Sequence, residues 1–288
     1  MHIPDGFLST PVWAALDAAA APAVVLIARR AQRGFEESKV PLLGVMGAFV
    51  FAAQMINFPV GIGTSSHLVG GALLACTLGP APASVVMMAI LAVQALVFQD
   101  GGILAMGANM LNMAVAGVFA GYLPFQLWGA GRRRRAAIFA SGALSLLVSA
   151  VLAMAELLIS GVKVSGSLLG VSAGLFLVSA LLEGAITLAV IEALEKIQPS
   201  FVRRPAAGHS YALGAVALVA VFLAGVGVLF AATTPDGIER LGLETGIASH
   251  AKALISTPLS GYRMTGAGVA GVGLIYGACL LIGRGRRK

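Results

Sequence analysis

The chain opens Met1-His2-Ile3-Pro4-Asp5-Gly6, which puts an α-amino group, an amide nitrogen and an imidazole into one dipeptide. The Met1 amine, the His2 amide nitrogen and His2 Nδ1 can close fused chelate rings on one metal ion, leaving a fourth position open. His67, at the end of the Gly- and Ser-rich run Gly61-Ile62-Gly63-Thr64-Ser65-Ser66, is the candidate for that position. Four nitrogen donors in or near a plane suit Ni(II), and also Co(II), better than zinc, calcium or magnesium. A histidine at position 2 of an ordinary chain sits in a frayed terminus and does nothing. The assignment therefore depends on elements that bring residues 2 and 67 together. His209 and His250 have no partner at ligand spacing and are given no metal role, and Cys76 and Cys279 form no CxxC pair.

Those elements are membrane helices. With 58% hydrophobic and only 11% charged residues, and a mean hydropathy of +0.94, the chain is excluded from the soluble globular class, in which about a quarter of residues are charged. Apolar stretches of bilayer length predict an all-α integral membrane protein with nine spans near 10–30, 40–57, 67–79, 82–98, 106–128, 137–160, 168–195, 211–231 and 266–283. The third is short enough to be broken or tilted.

Charge tests the count, because Lys and Arg concentrate in cytoplasmic loops. With the N-terminus outside, fifteen of the 19 basic residues face the cytoplasm. They are Arg29, Arg30, Arg33 and Lys39; Arg132 to Arg135; Lys196, Arg203 and Arg204; and Arg284, Arg286, Arg287 and Lys288. Only Lys163, Arg240, Lys252 and Arg263 fall outside, so an N-out, C-in topology with an odd number of spans is expected. The net charge of +7 belongs to anchoring rather than to nucleic acid. The N-terminal segment lacks the basic start of a secretory signal and is read as a retained helix.

Residues 197–210, with two prolines and a glycine among basic residues, read as a cytoplasmic linker between a seven-span core, 1–196, and a two-span region, 211–288. The latter encloses an outer loop, 232–265, in which Pro235-Asp236-Gly237 is a turn signature; it is either a lead into a short amphipathic helix or a docking loop. Small residues four apart, Ala15, Ala19 and Ala23, Gly117 and Gly121, Gly170 and Gly174, Gly273 and Gly277, permit close helix packing. The Ala15, Ala19 and Ala23 ridge is also a candidate sliding contact with a partner membrane protein. Three acids, Asp17, Glu156 and Glu183, fall within spans, where a carboxylate is a functional candidate. Gly266-Ala-Gly268-Val-Ala-Gly271 lies in a span, not after a strand, and no G-x-x-x-x-G-K-[ST] occurs, so any ATP would be bound by another subunit.

MHIPDGFLS at the start, AQMINFPVGIGTSSHLVGG over Ala53 to Gly71 and GANMLNMAVAG over Gly107 to Gly117 resemble the CbiM/NikM family. These are the substrate-binding (S) membrane components of cobalt and nickel energy-coupling-factor (ECF) transporters. The resemblance covers the core, and the tail with Thr-Pro-Asp-Gly-Ile-Glu resembles the small CbiN/NikN-type partner, fused. Ile62 and Ser66 stand where smaller residues or Gly are expected.

The resemblance implies square-planar binding of Ni2+ or Co2+ by Met1, His2 and His67, with Asn57, Ser65, Ser66, Asn109 and Asn112 near enough to orient the ligands. Interhelical hydrogen bonding is an equal reading for the asparagines. The metal is then a transported substrate, with no permanently bound cofactor. Expected partners are a CbiQ/NikQ-like coupling subunit and two CbiO/NikO-like ATPases in a prokaryotic cytoplasmic membrane, and related proteins serve cobalamin biosynthesis. The alternative is a stand-alone secondary divalent-metal transporter or channel, for which Glu183 is the midplane candidate. For an intramembrane metallohydrolase the chain lacks H-E-x-x-H and has too few histidines in its spans to hold a catalytic zinc. Nickel and cobalt are left undivided. An α-amino group must lose its proton to ligate, so metal binding is expected to weaken in acid.

Overall fold

The computed structural model describes residues 1–33, 40–61, 63–197, 202, 211–226, 231–262 and 266–284. Most of the 197–210 linker with Arg203, Arg204 and His209, together with Lys39, Ile62, Arg263, Arg286, Arg287 and Lys288, lies outside the described residues.

The apolar runs form helices because a backbone in lipid must satisfy its own hydrogen bonds. The helices are α1 (Thr10–Arg33), α2 (Val40–Gln54), α3 (Gly71–Leu78), α4 (Pro80–Val93), α5 (Met106–Asn109), α6 (Val118–Trp128), α7 (Arg134–Ile159), α8 (Gly166–Ile197), α9 (Tyr211–Gly225), α10 (Gly237–Thr245) and α11 (Ala267–Arg284). α4 runs on into a π-helical turn, Gln94–Phe98, and α5 joins α6 through a second, Met110–Gly117. Five helical stretches, Thr10–Arg33, Pro80–Phe98, Met106–Trp128, Arg134–Ile159 and Gly166–Ile197, are long and apolar enough to cross a membrane, and Val40–Gln54, Leu213–Gly225 and Ala267–Gly283 are shorter apolar helices. The protein is a multi-pass, helical membrane protein.

The expected spans meet these helices closely, with two informative differences. The stretch 67–79 becomes helical only from Gly71, because His67 to Gly70 is an irregular link that ends in left-handed Gly70 (φ 77°). The Gly-rich run before it is a small antiparallel hairpin, β1 (Phe58–Gly61) and β2 (Thr64–Ser66), with Phe58 opposite Ser66 and Pro59 opposite Ser65.

α2 lies at the centre, with 13 of its 15 residues buried. Its Gly44 and Gly47 face Tyr276, Ile275 and Cys279 of α11, while Gly271 of α11 faces Phe51 and Phe98. Gly117 and Gly121 serve close packing on α7: a Cβ at either would meet Ser149 or Ser145 within 3 Å. Gly170, Gly174, Gly273 and Gly277 have nothing within 4 Å there among the described residues. On α1, Ala15 and Ala19 are exposed and Ala23 is half-buried, so that face of α1 is turned away from the bundle.

Candidate metal centre

The chain start is drawn into the protein. Met1, His2 and Ile3 are 5%, 6% and 0% exposed, the opposite of a frayed terminus. Three clamps hold it there. Asn109 grips the backbone of Ile3 from both sides, its Oδ1 accepting from the Ile3 N–H at 2.8 Å and its Nδ2 donating to the Ile3 carbonyl at 3.1 Å. Gly102 N–H donates to the same carbonyl at 2.9 Å. The Asp5 carboxylate accepts from the backbone N–H groups of Ile103, Leu104 and Ala105 at 2.9, 2.7 and 3.3 Å, directly before α5. A carboxylate on the free N–H groups of a helix start is favourable both as a cap and with the helix dipole.

His67 arrives from the other side. Glu183 of α8 accepts from the backbone N–H groups of Val69 and Gly70, both at 2.8 Å, and so anchors the non-helical segment that carries the histidine. His67 Nδ1 sits 2.9 Å from the Leu68 carbonyl. A proton on Nδ1 donates to that carbonyl and leaves the Nε2 lone pair free to ligate, the usual way a backbone acceptor selects a histidine tautomer.

The two pieces meet. The Met1 amine lies 3.0 Å from His67 Nε2, and the His2 and His67 rings are stacked with centroids 5.6 Å apart and planes within 9°. Neighbouring corners of a square with metal–nitrogen bonds near 2.0 Å are about 2.8 Å apart, so the amine and His67 Nε2 already have the spacing of two adjacent ligands. The third side-chain donor is turned elsewhere. His2 Nδ1 is 3.1 Å from Asp100 Oδ1, and His2 Nε2 is buried without a partner among the described residues. Chelation through Nδ1 therefore requires the imidazole to leave Asp100.

Two carboxylates that the motif reading did not assign stand at this centre. Asp236, in the Thr-Pro-Asp-Gly-Ile-Glu loop, starts α10 as its cap: Oδ1 accepts from Ile238 and Glu239 N–H at 2.7 and 2.9 Å, and Glu239 returns a bond to the Asp236 N–H at 3.0 Å. Its other oxygen pairs with the Met1 amine and is 4.0 Å from His67 Nε2. Asp100 follows the π-helical end of α4. The sequence signals were present, a capping box at Asp236 and an Asp-Gly-Gly turn at Asp100, but nothing in one dimension aims either at residue 1.

Burial is the main force on the ionisable groups. It lowers His67 to about 4, helped by the positive Met1 amine and by His2. Burial alone would raise Asp236 and Asp100, but the Met1 amine and His67 hold Asp236 below the usual carboxylate range, and His2 does the same for Asp100. Glu239 is pushed up by burial and by the charge of Asp236. A cavity of about 500 Å3 adjoins the centre, lined by His2, Asp100, Asp236 and Glu239 and bordered by outer-loop residues Ala251 to Ile255.

The remaining candidates are sorted by the same geometry. Ser65 ties the outer loop to the hairpin, its N–H donating to the Pro235 carbonyl at 2.9 Å and its Oγ to the Thr234 carbonyl at 2.6 Å. Asn57 contributes its carbonyl to the Ala232 N–H at 2.8 Å, and Ser66 is buried in β2. Asn112 donates to Glu156 at 2.8 Å, an interhelical bond between the π-helical segment and α7. Asp17 of α1 accepts from the Gly107 N–H at 2.7 Å. Among the described residues no three His, Cys, Asp or Glu side chains form a metal-binding group; the nitrogen donors available here are the Met1 amine, the His2 amide and the two imidazoles.

Residues 2–201 match the model of the CbiM family, described as the cobalt uptake substrate-specific transmembrane region. The chain belongs to the CbiM family. Over 203 residues it is 37% identical to a protein of Haloquadratum walsbyi provisionally named a metal transport protein, covering 70% of this chain and 93% of that one. Over 222 residues it is 37% identical to an Archaeoglobus fulgidus protein provisionally named fused nickel transport protein NikMN, covering 75% and 73%. A crystal structure of a transition metal transporter, 31% identical, superposes with a TM-score of 0.60 over 71% of this chain and all of the other. The CbiM match contains both halves of the centre, His2 and His67, while Asp236 and α10 lie beyond it.

Proposed function

We propose that this protein captures Ni2+ or Co2+ on the outer side of a prokaryotic cytoplasmic membrane and is the substrate-specific component of an ECF-type importer. ATP hydrolysis is left to separate subunits, a CbiQ/NikQ-like coupling protein and two CbiO/NikO-like ATPases. The observation that carries the reading is the buried Met1 amine 3.0 Å from His67 Nε2, in a chain whose relatives are named for cobalt and nickel transport. The ion is bound as substrate by the Met1 amine, the His2 amide and Nδ1, and His67 Nε2. Residues 1–196 form the metal-binding core, 197–210 the cytoplasmic linker and 211–288 the CbiN/NikN-like region, with the N-terminus outside and the C-terminus inside. Both positive-inside charge and the family resemblance support this layout. The exposed Ala15 and Ala19 on α1 suit a contact with the coupling subunit.

A secondary transporter would need an ionisable residue lining a midplane path. Glu183 is instead engaged with two backbone N–H groups, which favours the first reading. The test is metal content and absorption spectrum of the purified protein with its native N-terminus, beside a version with one residue added before Met1. Extension turns the amine into an amide. One Ni2+ or Co2+ per native chain and none per extended chain is the expected result; equal binding overturns the site.

A further inference from the structure

Among the proposed ligands, His2 is the one whose ring nitrogen is turned to a carboxylate, and what holds it is a chain of two side chains leading into the C-terminal region. Asp100 Oδ1 is 3.1 Å from His2 Nδ1, and Asp100 Oδ2 accepts from the Tyr262 hydroxyl at 3.0 Å. Tyr262 lies in the outer loop before α11, its ring stacked on Phe98 with centroids 4.7 Å apart and edge-on to Phe51 at 6.2 Å. Among the described residues, only Gln99 and Tyr262 are non-glycine residues with positive φ, both at 55°. They sit on either side of this contact. An aromatic residue in the left-handed region is held there by its surroundings, and Gln99 is the residue at which the π-helical turn of α4 ends and presents Asp100. π-helical turns and backbone strain both gather at functional positions.

The held state is also incomplete. With Nδ1–H donating to Asp100, the lone pair of His2 Nε2 is buried with no donor among the described residues, which costs free energy in this orientation. Gly101 stands beside this side chain: a Cβ there would come within 3.2 Å of His2 Cβ and 3.5 Å of its Cγ.

We propose that Asp100 and Tyr262 form a latch that holds His2 Nδ1 in a hydrogen bond incompatible with ligation, so that the outer loop of the C-terminal region sets how readily the metal is captured. On loading, Nδ1 gives up its hydrogen bond to Asp100 and donates its lone pair to the metal, the ring proton passing to Nε2, and Asp100 gives up the Tyr262 hydroxyl as its carboxylate swings clear of the ring. Both residues act as positioning residues through His2. The inference rests on the metal site proposed above and adds a sign: the latch opposes loading.

The experiment titrates Ni2+ alone into the purified full-length protein with its native N-terminus, following affinity, loading rate and the d–d absorption band. Tyr262→Phe removes the hydroxyl and keeps the stacking ring. It is expected to load faster and bind about tenfold tighter, the order expected when one hydrogen bond to a charged acceptor no longer favours the empty state. Its d–d band should match that of the unsubstituted protein. A residue that supports the fold or orients a bound ligand would give the opposite sign, weaker binding with a shifted band. Unchanged or weaker binding by a folded Tyr262→Phe protein therefore overturns the latch. Should its melting temperature show that it does not fold, Asp100→Ala asks the same question from the other partner, with tighter binding again required. His2→Ala separates the two levels: full binding by that variant overturns the site itself, whereas lost binding there with no gain in Tyr262→Phe overturns the latch alone.

Discussion

Asn109 shows how much work one neutral side chain does at this site. Its amide makes both available bonds to Ile3, fixing the backbone immediately after the chelating dipeptide. Asn109→Ala should weaken Ni2+ binding by about tenfold, from two lost bonds of roughly 1 kcal/mol each, partly recovered by relaxation; a metal titration measures it. His67 supplies a pH expectation. Its pKa falls from 6.5 in the unfolded chain to about 4 in the folded one, so between those values the unfolded state binds more protons. Stability is then full above about pH 6.5 and declines as pH drops towards 4. Melting temperature against pH should show that slope, and His67→Gln, which cannot take up the proton, should flatten it.

Among the elements, the segment between β2 and α3 decides where His67 stands, and its anchor is Glu183 of α8. Glu183→Ala leaves the Val69 and Gly70 N–H groups without their acceptor in a buried place, so the loop should loosen and metal binding fall by at least tenfold. Glu183→Gln, which keeps one carbonyl oxygen, should be intermediate. A proton- or ion-relay role predicts another pattern, normal binding with failed transport in Glu183→Gln, and measuring binding and uptake together separates the two. All three carboxylates expected within spans are used in this way: Asp17 on Gly107, Glu156 on Asn112 and Glu183 on the His67 segment. In a bilayer, where helix association gains little from the hydrophobic effect, such bonds set register.

For the whole molecule, the notable feature is that the C-terminal helices cover the centre of the bundle. α2 is buried on nearly every side, and α11 meets it through glycines. Ending the chain at residue 196 should therefore do two things: lower thermal stability in detergent by uncovering α2, and remove Asp236 from the Met1 amine. A restored stability on co-expression with residues 211–288 as a separate chain would show that the linker itself is dispensable. Membrane extraction followed by a melting curve checks both.

Residue types and their order were enough to determine the membrane class, most of the helical spans and the family, and to single out two histidines as candidates, because bilayer length, charge bias and a chelating chain start are all local properties of sequence. His2 and His67 could be named since few other residues in so apolar a chain bind transition metals. What tertiary structure decided is how those residues are held. Asp236 and Asp100 are 235 and 98 positions from the residues they face, and only folding brings a helix cap in the outer loop onto the Met1 amine. Glu183 read as a midplane acid from its span alone, and became a loop anchor once Val69 and Gly70 were seen above it. The orientation of the His2 ring, turned towards Asp100, belongs wholly to the folded state, because a side-chain rotation has no trace in the order of the residues.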